Sequence, residues 1–147
     1  MTFVMRKPQK GRFAVTTLLS DVKWVRVLLA GVATHVVNVI LSVMLIVAYS
    51  LLAIGPGGSA DADSVDRFAG WVSTWTIPLL TLLSASWAAR AARPPAAVWY
   101  GLSVGLLVAG SFGLLYFWPD DLPSLALFAF TIAAGFVGGV IGRIWGI

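Results

Sequence analysis

The chain has no cysteine and no glutamate, and a single histidine, His35, among its 147 residues. Without cysteine there can be no disulfide, no thiolate metal ligand and no thiol nucleophile. Without glutamate, every side-chain carboxylate must come from six aspartates: Asp21, Asp61, Asp63, Asp66, Asp120 and Asp121. Charge of any sign is scarce, at 11% of residues where ordinary globular domains carry about 25%. With 59% hydrophobic residues and a mean hydropathy of +0.92, a soluble globular domain is excluded.

What the chain does have is four windows free of charge, at 27–60, 68–89, 94–119 and 122–142. A bilayer's hydrocarbon core of about 30 Å needs roughly 20 apolar residues at 1.5 Å rise each, and every window reaches that length. The expected fold is all-α: a polytopic, antiparallel bundle of four transmembrane helices near 25–53, 67–90, 95–117 and 123–145. Residues 24–147 then form a single membrane domain. Residues 1–23 form a basic tail, with 13–23 as a short interfacial helix of only moderate amphipathicity. The first apolar stretch is far longer than the 7–15 residues of a signal-peptide core, so it reads as a retained helix.

Charge gives the orientation. Arg6, Lys7, Lys10, Arg12, Lys23, Arg26, Arg90, Arg93 and Arg143 share one side if the helices alternate, and Arg67 alone is opposite. The positive-inside rule puts that side, with both termini, in the cytoplasm. The expected location is a multi-pass protein of the cell membrane, in a bacterial or archaeal cytoplasmic membrane. Trp24, Trp87, Trp99 and Trp145 at one set of helix ends, and Trp71 and Trp118 at the other, read as interfacial anchors. The net charge of +4 does not imply nucleic acid, because the tail lacks interleaved aromatics and any recognised module. Arg6, Lys7, Lys10 and Arg12 are instead expected to contact anionic lipid headgroups, at about 1 kcal/mol each near the surface.

The first window carries its polar groups on one face. At about 100° per residue, Gly31, His35, Asn38, Ser42 and Tyr49 fall within an arc of roughly 60°, with Thr34 at its border. Two readings of this seam stay open. An imidazole beside an amide can line a proton, ion or solute path, since such groups are costly in lipid. Alternatively, the same groups hydrogen-bond to neighbouring helices. A lone histidine is a poor haem-ligand signal, and no cofactor or metal site is expected. The aspartates 61, 63 and 66 lack the glycine and glutamate of a calcium loop and read as a solvated loop ahead of the second helix.

Pro78, central in the second window, removes a backbone donor and frees the carbonyl of Thr74, so a helix kink is expected there. Windows three and four carry small residues at close-packing intervals: Gly101, Gly105 and Gly113 in one, Gly135, Gly139 and Gly142 in the other. Such residues let helix backbones approach in lipid. The short outer turn places Gly105 and Gly139 at similar depth, so an intramolecular crossing is expected there; alternatively, the same surface joins two subunits.

In size the chain resembles small multidrug exporters, but their defining first-helix glutamate has no equivalent here. Fluoride channels are similar in their glycine-rich run before an arginine, here 138–143, yet that motif belongs near the opposite terminus. No family is assigned. The expected function is that of a non-enzymatic integral membrane protein acting through lipid and other membrane helices, as an accessory, assembly or scaffold subunit or as a homo-oligomer. The alternative is a homo-oligomeric channel or small transporter whose path uses His35, Asn38 and Ser42.

The absence of natural cysteine makes the topology directly testable. Single cysteines at Ser59 and Ser124 are expected to react with an impermeant maleimide in intact cells. Those at Gln9 and Ala91 should react only after lysis, and labelling of Ala91 from outside would invert the assignment.

Overall fold

A computed structural model describes residues 22–54, 62–115 and 122–146. These form four helices: α1 (Trp24–Ile54), α2 (Ala62–Ala89), α3 (Pro94–Leu115) and α4 (Leu122–Trp145). All four are long and apolar enough to cross a membrane, and the chain is an integral membrane protein built as an all-α four-helix bundle. Arg6, Lys7, Lys10, Arg12 and most of the expected interfacial helix lie outside the described residues.

The helix ends follow local chemistry. α1 starts after Lys23, whose carbonyl accepts from the backbone N–H of Arg26 at 2.8 Å. α3 starts after Arg93, whose carbonyl accepts from Ala96 at 2.8 Å and Ala97 at 3.2 Å. Pro94 and Pro95 occupy the first turn, where a missing N–H removes no intrahelical bond. α2 begins at Ala62 rather than near 67, so the acidic stretch expected as loop is largely helical from its second residue on. The cause is electrostatic: Asp63 lies in the first turn, where a carboxylate faces the positive end of the helix dipole. Arg67 Nε closes that turn by donating to the Asp63 carbonyl at 3.1 Å. α4 likewise starts at Leu122 and takes in Pro123 and Ser124, which the expected turn had included. Pro78 sits inside α2, which continues as one helix from Ala62 to Ala89.

α2, α3 and α4 pack against one another, while α1 lies against α2 and α3 and does not touch α4. The buried apolar core is made mostly of small and β-branched side chains, among them Ala85, Ala88, Ala97, Val104 and Val108. Most of it lies toward the end where α1 begins and α2 and α4 finish, called here the basic end. Outward faces are largely apolar, with Val32, Ile40, Val43, Leu79 and Phe130 all exposed. Trp24, Trp71, Trp75, Trp87 and Trp145 also point outward.

Glycine sets how closely α4 approaches its neighbours. A Cβ built on Gly101 would collide with the backbone of Gly135 and Gly139, and one on Gly135 would lie 2.6 Å from the Gly105 Cα. These four residues form the α3–α4 crossing, in a register one turn away from the expected one. Gly105 meets Gly135 and Ile132, while Gly139 meets Ala97 and Val98. A second glycine stripe on α4 faces α2. A Cβ on Gly138 would sit 2.5 Å from the Leu82 carbonyl oxygen, and one on Gly142 2.5 Å from that of Ser86. The stripes are offset by three residues, about 60° around the helix, which wedges α4 between α2 and α3. Gly113, expected to pack, has nothing within 4 Å of its Cβ position, because this part of α3 lies beyond the crossing.

Gly101→Ala is therefore expected to destabilise the bundle, since neither backbone can yield without opening the whole crossing. Gly113→Ala, in open space, should be neutral or stabilising by up to about 1 kcal/mol through helix propensity. Unfolding in detergent compares the two, and equal losses would place the crossing elsewhere.

Candidate functional site

The polar seam of α1 divides along its length between two neighbours. Gly31 and His35 turn toward α3, whereas Thr34 and Asn38 turn toward α2. At about 100° per residue the two pairs lie on opposite flanks of one narrow face, and α1 fills the furrow between two helices. The spacing that generates this is three and four residues, so one turn serves α2 and α3 alternately.

On the α3 flank, Gly31 is the point where α1 receives the Leu107 side chain; any Cβ there would overlap the Leu107 Cδ2. One turn on, His35 Nε2 lies 2.6 Å from Ser111 Oγ. Ser111 Oγ also lies 2.7 Å from the Leu107 carbonyl of its own helix; with the serine proton on that carbonyl, the imidazole N–H is the donor to the serine oxygen. Nearer the start of α1, the Lys23 backbone N–H donates to the buried Tyr100 hydroxyl at 2.6 Å, which gives an otherwise unmatched helix-start donor a partner.

On the α2 flank, Thr34 Oγ1 donates to Ser84 Oγ at 2.7 Å, and Ser84 donates in turn to the Thr81 carbonyl at 3.1 Å. Thr34 Oγ1 also lies 2.8 Å from the Ala30 carbonyl of its own helix. Asn38 Oδ1 accepts from Thr76 Oγ1 at 2.8 Å. Farther along, Tyr49 stacks on Phe68 with ring centroids 4.3 Å apart and planes 10° from parallel. At about 100° per residue Ser42 falls between Gly31 and His35, on the α3 flank. Its Oγ is buried and has no hydrogen-bond partner.

The two helices facing α1 supply hydroxyls at the depths where α1 presents its polar groups. In lipid such bonds average about 0.6 kcal/mol each, so the three interhelical side-chain bonds contribute on the order of 2 kcal/mol together. Leaving any of these groups against hydrocarbon would cost more than that bond contributes. Ser84 and Thr76 lie on the same window as Pro78, and Ser111 lies among the glycines of α3. Their role as partners of α1 had no signal in the sequence beyond being hydroxyls in apolar helices, since pairing depends on interhelical register.

A second constellation lies at the basic end. The Arg26 guanidinium carbon sits 4.4 Å from the centre of the Trp87 ring, and Nη2 donates to the Trp87 carbonyl at 3.1 Å. Arg90 stands over the Trp145 ring at 4.7 Å in the same way. Both tryptophans were expected only as interfacial anchors. Among the described residues, no group of three or more His or Asp side chains gathers in a metal-binding arrangement. Comparisons of the chain with protein-family models, curated proteins and solved structures return no match.

The His35–Ser111 pair makes a double-mutant cycle informative. His35→Leu is expected to lower stability in detergent by about 1 kcal/mol, and Ser111→Ala to add little to it. His35→Gln, which keeps an N–H donor, should lose less. Additive losses from His35→Leu and Ser111→Ala would mean that the two side chains do not interact.

Proposed function

We propose that this chain is a non-enzymatic membrane subunit, an accessory, assembly or scaffold element that works through lipid and through contacts with other membrane helices. The observation that carries this reading is the closure of the α1 seam. Thr34, His35 and Asn38 each meet a hydroxyl on an adjacent helix of the same chain, so the polar groups costly in a bilayer hold α1 in place. The remaining surface of α1 is apolar and exposed, with Val36, Val39, Met44 and Leu51 facing outward. A surface of this kind meets lipid or a partner helix. The charge bias favours a basic end in the cytoplasm, in a bacterial or archaeal membrane.

A second reading, a homo-oligomeric channel or small transporter lined by His35, Asn38 and Ser42, draws on one specific feature. The Ser42 hydroxyl is buried without a partner, and a water path would supply one.

Liposomes separate the two. The scaffold reading expects wild-type protein to carry no flux of protons or common ions, with His35→Leu weakening assembly of the bundle or its complex. A robust flux that changes with pH and disappears in His35→Leu would overturn it in favour of the channel.

A further inference from the structure

Between α1 and α2 runs an open groove of about 500 Å³. Its walls are Leu29, Ala33, Val37, Leu80 and Leu83, with Trp87 at the basic end. Thr34 and Ser84 also border it, but their hydroxyls are hydrogen-bonded to one another. A polar solute would find nothing to bind in such a slot. Hydrocarbon fits it, and from Leu29 to Val37 it runs along about two turns of α1, roughly 12 Å.

At the Trp87 end the chemistry changes abruptly. Arg26, one turn before Leu29, lies over the indole and is tethered to the Trp87 carbonyl. Its Nε is buried and has no hydrogen-bond partner, so the ring and the carbonyl fix the guanidinium without saturating it. The charge around it is of one sign. Among the described residues, the other charges at this end are Lys23, Arg90, Arg93 and Arg143, all of them basic. An apolar slot that ends at an indole overlain by a positioned guanidinium, within a positive field, is complementary to one kind of membrane molecule: an acyl chain carrying an anionic phosphate head.

We infer that the α1–α2 groove is a binding site for an anionic phospholipid, with one acyl chain along Leu29, Ala33, Val37, Leu80 and Leu83 and the phosphate at Arg26. The site rests on the lipid-contact part of the proposed function and gives it an address. Arg26 supplies headgroup selectivity, and the groove supplies the residence that a surface charge alone lacks. The bound chain would also cover the seam between α1 and α2 and fasten α1 to the rest of the bundle.

The test uses the full chain purified in detergent, with phosphatidylglycerol and phosphatidylcholine of identical acyl composition. Lipid retained is read by native mass spectrometry, and the shift in unfolding temperature is read alongside. Wild-type protein is expected to retain phosphatidylglycerol at least several-fold better than phosphatidylcholine and to be stabilised more by it. Arg26→Gln should abolish that preference, while Arg143→Gln, an exposed base on α4, should leave it intact. Ala33→Phe, which fills the groove without touching charge, should reduce retention of both lipids. Excess inorganic phosphate should not displace the lipid. Equal retention of the two lipids by wild-type protein, or an Arg26→Gln variant as selective as Arg143→Gln, would overturn the site. Displacement by inorganic phosphate would do the same, by reducing it to a free-anion contact. If Arg26→Gln does not fold, the wild-type preference and the Ala33→Phe variant still decide. Because binding in detergent is independent of liposome flux, the lipid site and the scaffold reading can fail separately.

Discussion

Helices in a bilayer attract one another without a hydrophobic effect, because lipid tails are as apolar as leucine. Everything in this bundle follows from how it replaces that missing drive. α4 does so by removing side chains. Its two glycine stripes bring backbone against backbone, Gly135 and Gly139 on α3 and Gly138 and Gly142 on α2, so that many weak dispersion contacts accumulate along each crossing. The buried core beside them consists largely of alanine and valine, residues short enough to keep the axes close. Close approach leaves little tolerance: where a Cβ would meet a backbone carbonyl or Cα, no rotamer change can make room.

α1 solves the same problem by other means. It makes no contact with α4 and has few fully buried side chains, with none beyond Thr34 among those described. Its attachment uses hydrogen bonds to hydroxyls at Ser84, Thr76 and Ser111, with Leu107 seated on Gly31 as the close-packing element on the α3 flank. Polar pairs in lipid add modest energy but strong specificity, because a shift of one residue along α1 would strand an imidazole or an amide against hydrocarbon. The result is a bundle with a tightly packed three-helix part and a fourth helix held in register mainly by polar contacts. The groove between α1 and α2 is the space this looser attachment leaves open.

The basic end ties these two parts together. Tyr100 receives the backbone N–H of Lys23, just ahead of α1, and Arg26 and Arg90 each lie on a tryptophan of the following or facing helix. Arginine over an indole keeps its charge near the headgroups while the ring stays in the interfacial layer. The arginines thereby serve packing within the bundle.

Much of the architecture was legible in the sequence because its signals are local. Four neutral windows longer than a bilayer is thick leave few other folds, and the 4-3-4 spacing of Gly31, His35, Asn38 and Ser42 marks one face of one helix regardless of what lies opposite. The early start of α2 was less visible, since aspartates read equally as loop or as the first turn of a helix until the helix dipole is present to favour them. Properties that depend on two helices at once were not legible at all. Which glycine meets which follows from crossing angle and axial offset, so Gly105 pairs with Gly135 rather than Gly139, Gly138 packs while Gly113 does not, and the seam splits between Ser111 on one side and Thr76 and Ser84 on the other. The sequence alone determined that this is a four-helix membrane protein with a polar face on its first helix. Only the tertiary structure decided what that face touches, because hydrogen bonds and backbone contacts are set by interhelical register within a fraction of a turn, and no residue encodes its register by itself.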